Sequence, residues 1–104
     1  MKHATATALA QLSDVLVDLR TIPGLVERTP GSFYRGSKAF LHFHEDPAGL
    51  FADAKLAHGT LDAAFERCAV NTATERRAFV AAVRQAVEAS RTLAALGTKP
   101  KGLG

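Results

Sequence analysis

The stretch Phe33–Lys55, FYRGSKAFLHFHEDPAGLFADAK, constrains the fold more than any other part of the chain. It is three short alternating runs joined by two tight turns. Gly36-Ser37 has the Gly-first pattern of a two-residue hairpin loop. Asp46-Pro47-Ala48-Gly49 has Asp, Pro and Gly at the first, second and fourth positions that a type I turn favours. Turns this tight fix the register of the strands they join. A symmetric second turn places His42 opposite Asp53, His44 opposite Phe51 and Phe40 opposite Lys55, with Leu41 and Phe43 opposite Ala54 and Ala52. The first turn places Phe33 opposite Phe40 and Tyr34 opposite Ala39.

Side chains alternate across a strand, so these pairings predict two unlike faces. Tyr34, Ala39, Leu41, Phe43, Ala52 and Ala54 form a small apolar face. Phe33, Arg35, Lys38 and Phe40 share the other with His42, His44, Phe51, Asp53 and Lys55, and this face mixes aromatic rings with ionisable groups.

The flanking segments supply a cover for the apolar face. Leu9, Leu12, Val15, Leu16 and Leu19 recur at helical spacing and predict a helix over 5–21, stopped by Pro23-Gly24. Thr72-Ala73-Thr74-Glu75 is a capping box. It opens a long helix to about Leu96, with Phe79, Val83, Ala86, Val87 and Leu93 on one side and Gly97 at the end. Leu25-Val26 begins a short strand. His58-Gly59-Thr60 reads as a loop. The segment Leu61–Val70 admits a helical turn over Leu61–Cys68 or a strand from about Phe65, and the strand is preferred because another strand protects the sheet edge. The expected fold is α+β: a two-layer sandwich in which an antiparallel meander of three to five strands carries an N-terminal and a long C-terminal helix on one face. A length of 104 residues fits one domain over 1–97, followed by a flexible basic tail over 98–104 that contains Lys99 and Lys101.

Composition narrows the function classes. Hydrophobic residues at 47% and charged residues at 22% are those of an ordinary globular chain. A net charge of +3 is too small to imply nucleic acid. No run approaches the roughly 18 apolar residues that read as a membrane helix. Cys68 is the single cysteine, which rules out an internal disulfide and fits a cytoplasmic protein. Its expected role is that of a small buried hydrophobe. Richness in Ala and Arg points to a bacterial source.

The mixed face is the place for a site. An H-x-H pair on a strand projects both imidazoles to one side, and a carboxylate returning on the next strand can join them. His42, His44 and Asp53 are therefore candidate ligands for zinc or a similar divalent metal, with Glu45, Asp46 or His58 as further donors. The same trio can move protons, although no nucleophile accompanies it. Arg35, Lys38, Lys55 and Arg67 are candidates to hold an anion. Phe33, Phe40 and Phe51 on an uncovered face predict a contact with a small-molecule ligand or a second copy of the chain.

The run KAFLHFHEDPAGLFADAKL and the capped helix TATERRAFVAAVRQAV resemble small uncharacterised bacterial proteins. They are similar to the short family called the luciferase domain, which has an H-x-H strand followed by a turn and strand carrying Gly, Leu and Asp. The matching residues here are His42, His44, Gly49, Leu50 and Asp53. The resemblance implies a site on the H-x-H strand and Asp53. Without tryptophan or the longer segments of a light-producing oxygenase, it implies no flavin or oxygen chemistry. The expectation is a binding or assembly module, homodimeric through its aromatic and histidine face. The alternative is a small enzyme or metal-dependent binder built on His42, His44 and Asp53.

Overall fold

The computed structural model describes residues 2–57 and 64–97, with side chains of the last helix up to Ala89 and at Arg91. The elements are β1 (Lys2–His3), α1 (Ala6–Gln11), α2 (Ser13–Leu19), β2 (Val26–Thr29), β3 (Ser32–Arg35), β4 (Lys38–Asp46), β5 (Gly49–Ala54), β6 (Glu66–Ala69) and α3 (Ala73–Gly97). The strands β2 to β6 form an antiparallel meander in chain order, and β1 pairs with β4. β3 pairs with Lys38–His42, whereas β1 pairs with His44 and Glu45. This α+β arrangement is the one the sequence predicts, with one short strand more.

The helical stripe forms as two helices. α1 is capped by Thr5, whose hydroxyl accepts the Ala8 N–H at 3.3 Å. The helix breaks at Leu12 (φ −102°, ψ 17°), and α2 resumes at Ser13. The break does not disturb the apolar side: Leu12, Val15, Leu16 and Leu19 are all buried. α3 begins with the reciprocal capping box, Glu75 N–H donating to Thr72 Oγ1 at 3.0 Å and Thr72 N–H to Glu75 Oε1 at 3.1 Å. It buries Phe79, Val80, Val83, Ala86 and Val87 in one core with α2 and the Leu41, Phe43, Ala52 and Ala54 side of the sheet. The side chain of Leu93 lies outside the described residues.

The β4–β5 register is the predicted one, including His42 opposite Asp53 and His44 opposite Phe51. The first hairpin departs from prediction. Arg35 faces Lys38 and Tyr34 faces Ala39, but Phe33 then faces Leu41, and Ser32 faces His42. Phe40 is the extra residue of a β-bulge on β4. The bulge reverses the parity of β3, so Phe33 and Arg35 take the helix-covered side and Tyr34 the other. Phe33 and Phe40 are both 0% exposed, inside the core. Burying a phenylalanine is worth about 1.5–3 kcal/mol, which outweighs the one interrupted ladder position. Phe33, Arg35 and Phe40 are therefore not on the bare face.

β6 confirms the strand preferred within Phe65–Val70. The expected loop at His58-Gly59-Thr60 and the expected tail at 98–104 lie outside the described residues. No described helix is long and apolar enough to cross a membrane.

Candidate metal centre on the bare sheet face

Four strands converge on one point. β4 contributes His42 and His44, two residues apart and hence on one side. β5 returns Asp53 opposite His42, and β6 sets Arg67 opposite Asp53. β1 sets His3 opposite His44. Asp53 is 8% exposed, the one buried charged residue in the described chain.

The Asp53 carboxylate organises the cluster. Its Oδ2 lies 3.2 Å from His44 Nε2 and 3.7 Å from His42 Nε2. Donor atoms of these three residues all fall within 4.8 Å of one another. In a tetrahedral zinc site with metal–nitrogen bonds of about 2.0–2.1 Å, adjacent donors stand about 3.3 Å apart. The two distances at Oδ2 are close to that edge length. Neither ring nitrogen of His44 makes a hydrogen bond, although both are shielded from solvent. The close approach of His44 Nε2 to Asp53 thus lacks hydrogen-bond alignment. A buried imidazole without partners is costly.

Arg67 holds the other aspect of the carboxylate, with Nε donating to Oδ1 at 3.0 Å and Nη2 to Oδ2 at 3.1 Å. The guanidinium hydrogen bonds hold the Asp53 carboxyl below its usual range, with the charges of Arg67, His44 and His42 adding to them against burial. His42 is also depressed. Burial comes first, then the neighbouring His44, while Asp53 works in the opposite direction. An imidazole biased to neutrality and an ionised carboxylate are the protonation states that metal ligation needs.

The surroundings are aromatic. His3 stacks on His42 with ring centroids 5.5 Å apart and planes 5° from parallel, and it meets His44 edge-on at 5.1 Å. His42 and His44 meet edge-on at 4.6 Å. Phe65 lies 4.9 Å from His42, and Lys55 Nζ lies 5.1 Å from the Phe65 ring centre. Phe51, opposite His44, is half-buried.

Of the residues expected at the site, the structure gathers His42, His44 and Asp53, with Phe51 on β5 and Lys55 just past its end. Arg35 leaves for the helix side, where its guanidinium lies 5.9 Å from the Phe40 ring centre. Glu45 accepts the Thr5 N–H at 2.6 Å, and Asp46 accepts the Ala48 N–H at 2.9 Å within its turn. Neither belongs to the trio, and His58 lies outside the described residues. Cys68 faces Ala52 on the core side, half-buried, and burial raises its thiol pKa. Ser32 stands opposite His42 across the β3–β4 ladder.

His3 and Phe65 were not visible in the sequence as site residues. A two-residue strand carries no periodicity, and Phe65 precedes its strand. Arg67 was legible as a cation near the site. Its pairing with Asp53 depends on the β5–β6 register, which no tight turn fixes.

In comparisons with known proteins, no family model, curated protein or solved structure matches this chain.

Proposed function

We propose that this chain is a divalent-metal-binding module of the cytoplasm whose ligands are His42, His44 and Asp53. The observation that carries the reading is the position of Asp53 Oδ2, 3.2 and 3.7 Å from the Nε2 atoms of two imidazoles on the neighbouring strand. Two nitrogens and a carboxylate oxygen suit zinc, and three protein ligands leave a fourth position for a further donor. The two otherwise unpartnered nitrogens of His44 add support, since ligation satisfies one of them. Burial of Phe33 and Phe40 removes two of the three phenylalanines that favoured a purely apolar assembly face.

Chelator-competition titration with zinc tests this reading. The expected result is one zinc per chain in the wild type, with binding lost in His44→Ala and Asp53→Ala. Equal zinc affinity in wild type and both variants contradicts it.

A second reading, a homodimer seamed on the same face, is favoured by Phe65, which is 41% exposed beside His42. Sedimentation equilibrium is its test: a dimer that dissociates in Phe65→Glu supports it, and a monomer at all concentrations rejects it.

A further inference from the structure

His3 stands apart from the trio in sequence and joins it only through the fold. β1 is two residues long, and what holds it is specific. Lys2 and His3 pair with Glu45 and His44. Ala4 N–H donates to Phe43 O at 3.1 Å, and Thr5 N–H donates to Glu45 Oε1 at 2.6 Å. These contacts deliver an exposed imidazole onto the rings of His42 and His44, at 5.5 and 5.1 Å between centroids. Three imidazoles in mutual contact, two of them beside one carboxylate, are more than a cross-strand pair requires. A strand this short buries little of its own: Lys2 and His3 are both exposed.

We propose that His3 supplies the fourth ligand, so that the metal closes on His3, His42, His44 and Asp53 and fastens the N-terminal strand to β4 and β5. This rests on the metal-binding reading above. The nitrogens of His3 lie outside the group of donors already within 4.8 Å of one another, so ligation takes a turn of the ring. An exposed side chain makes that turn between staggered rotamers at little cost. Ligation replaces the stack on His42 with a bond to the metal. Three histidines and an aspartate complete the four-coordinate set of a closed zinc site. The site then acts as a clasp: occupied, it orders the segment Lys2–Thr5; empty, it leaves that segment on its few backbone hydrogen bonds.

The test compares wild type, His3→Ala, His3→Phe and His42→Ala by zinc titration and by amide hydrogen exchange at Ala4 and Thr5. His3→Phe keeps a stacking ring and removes the donor nitrogen. The expected result is a loss of zinc affinity of about tenfold or more in both His3 variants, since even outer-shell partners of a metal are worth that much. Zinc should slow exchange at Ala4 and Thr5 in the wild type and in neither His3 variant. If His42→Ala weakens zinc but both His3 variants bind like wild type, His3 is a stacking neighbour and the clasp is wrong while the trio stands. If His3→Phe binds like wild type and only His3→Ala is weak, the ring supports β1 by stacking, and ligation is again excluded. If all four proteins bind zinc alike, the clasp falls together with the metal reading.

Discussion

At the scale of single residues, the site turns on competition for one carboxylate. Arg67 and a metal ion both seek Asp53, and the guanidinium places a positive charge where a cation would bind. Its side chain is 52% exposed, so it can leave without unpacking the core. Arg67→Gln should therefore tighten zinc binding by about two- to fivefold, the range of an ion pair whose cation is half exposed. Weaker binding in that variant would mean that Arg67 orients Asp53 for the metal. His42 gives a second prediction. Its pKa in the folded chain lies below the ordinary value of 6.5, so the unfolded chain binds more protons in that interval. The contribution of His42 to stability is then complete above about pH 6.5 and is lost as pH falls from there through the folded value. Asp53, also depressed, is stabilising above its ordinary 3.8 and loses that contribution at lower pH, so the two effects separate. Urea midpoints of metal-free wild type and His42→Gln, measured from pH 7.5 down to pH 5, should converge as pH falls; parallel curves would show that burial does not bias His42.

At the scale of elements, the β4–β5 hairpin and the first hairpin explain what could be read from the chain and what could not. Asp46 and Pro47 set a turn whose two strands run without irregularity, so the meeting of His42 and Asp53 followed from counting. The Gly36-Ser37 turn was equally legible, but the bulge at Phe40 just beyond it was not. A bulge is decided by how many large side chains the core will accept, and no local pattern states that number. Phe33 shows the consequence. On an open face its removal would shift stability by no more than about 0.5 kcal/mol, whereas in the core Phe33→Ala should cost about 3–5 kcal/mol in urea unfolding. Gly49 presents a different constraint. It sits at φ +140°, and a Cβ there would come 2.7 Å from Asn71 Oδ1. That same oxygen accepts the Leu50 N–H at 2.8 Å, tying the start of β5 to the link between β6 and α3. Gly49→Ala should cost about 1 kcal/mol or more from backbone strain alone. Added to Asn71→Ala it should cost less than it does alone, because the clash has gone; strict additivity would place the strain wholly in the backbone.

At the scale of the whole molecule, the sheet divides its work between two sides. One side is committed to the helices and closes the core with Phe33, Phe40, Phe43, Leu41 and the apolar faces of α2 and α3. The other carries a buried charge, three imidazoles and an arginine on four different strands, and no described element covers it. A metal held there joins β1 to the β4–β5 hairpin, which lies far from it in sequence and which the unfolded chain does not hold against it. Binding to the folded chain must then raise its stability, by about 2.7 kcal/mol when free zinc is a hundredfold above its Kd. For a domain of this size each kcal/mol moves the unfolding midpoint by about 4–8 °C. The most direct measurement is the thermal midpoint of the full chain with and without excess zinc, alongside Asp53→Ala. A rise of about 10 °C or more in the wild type, with none in the variant, is the predicted result. A wild-type midpoint that zinc leaves unmoved, or moves equally in Asp53→Ala, would contradict a metal centre on this face.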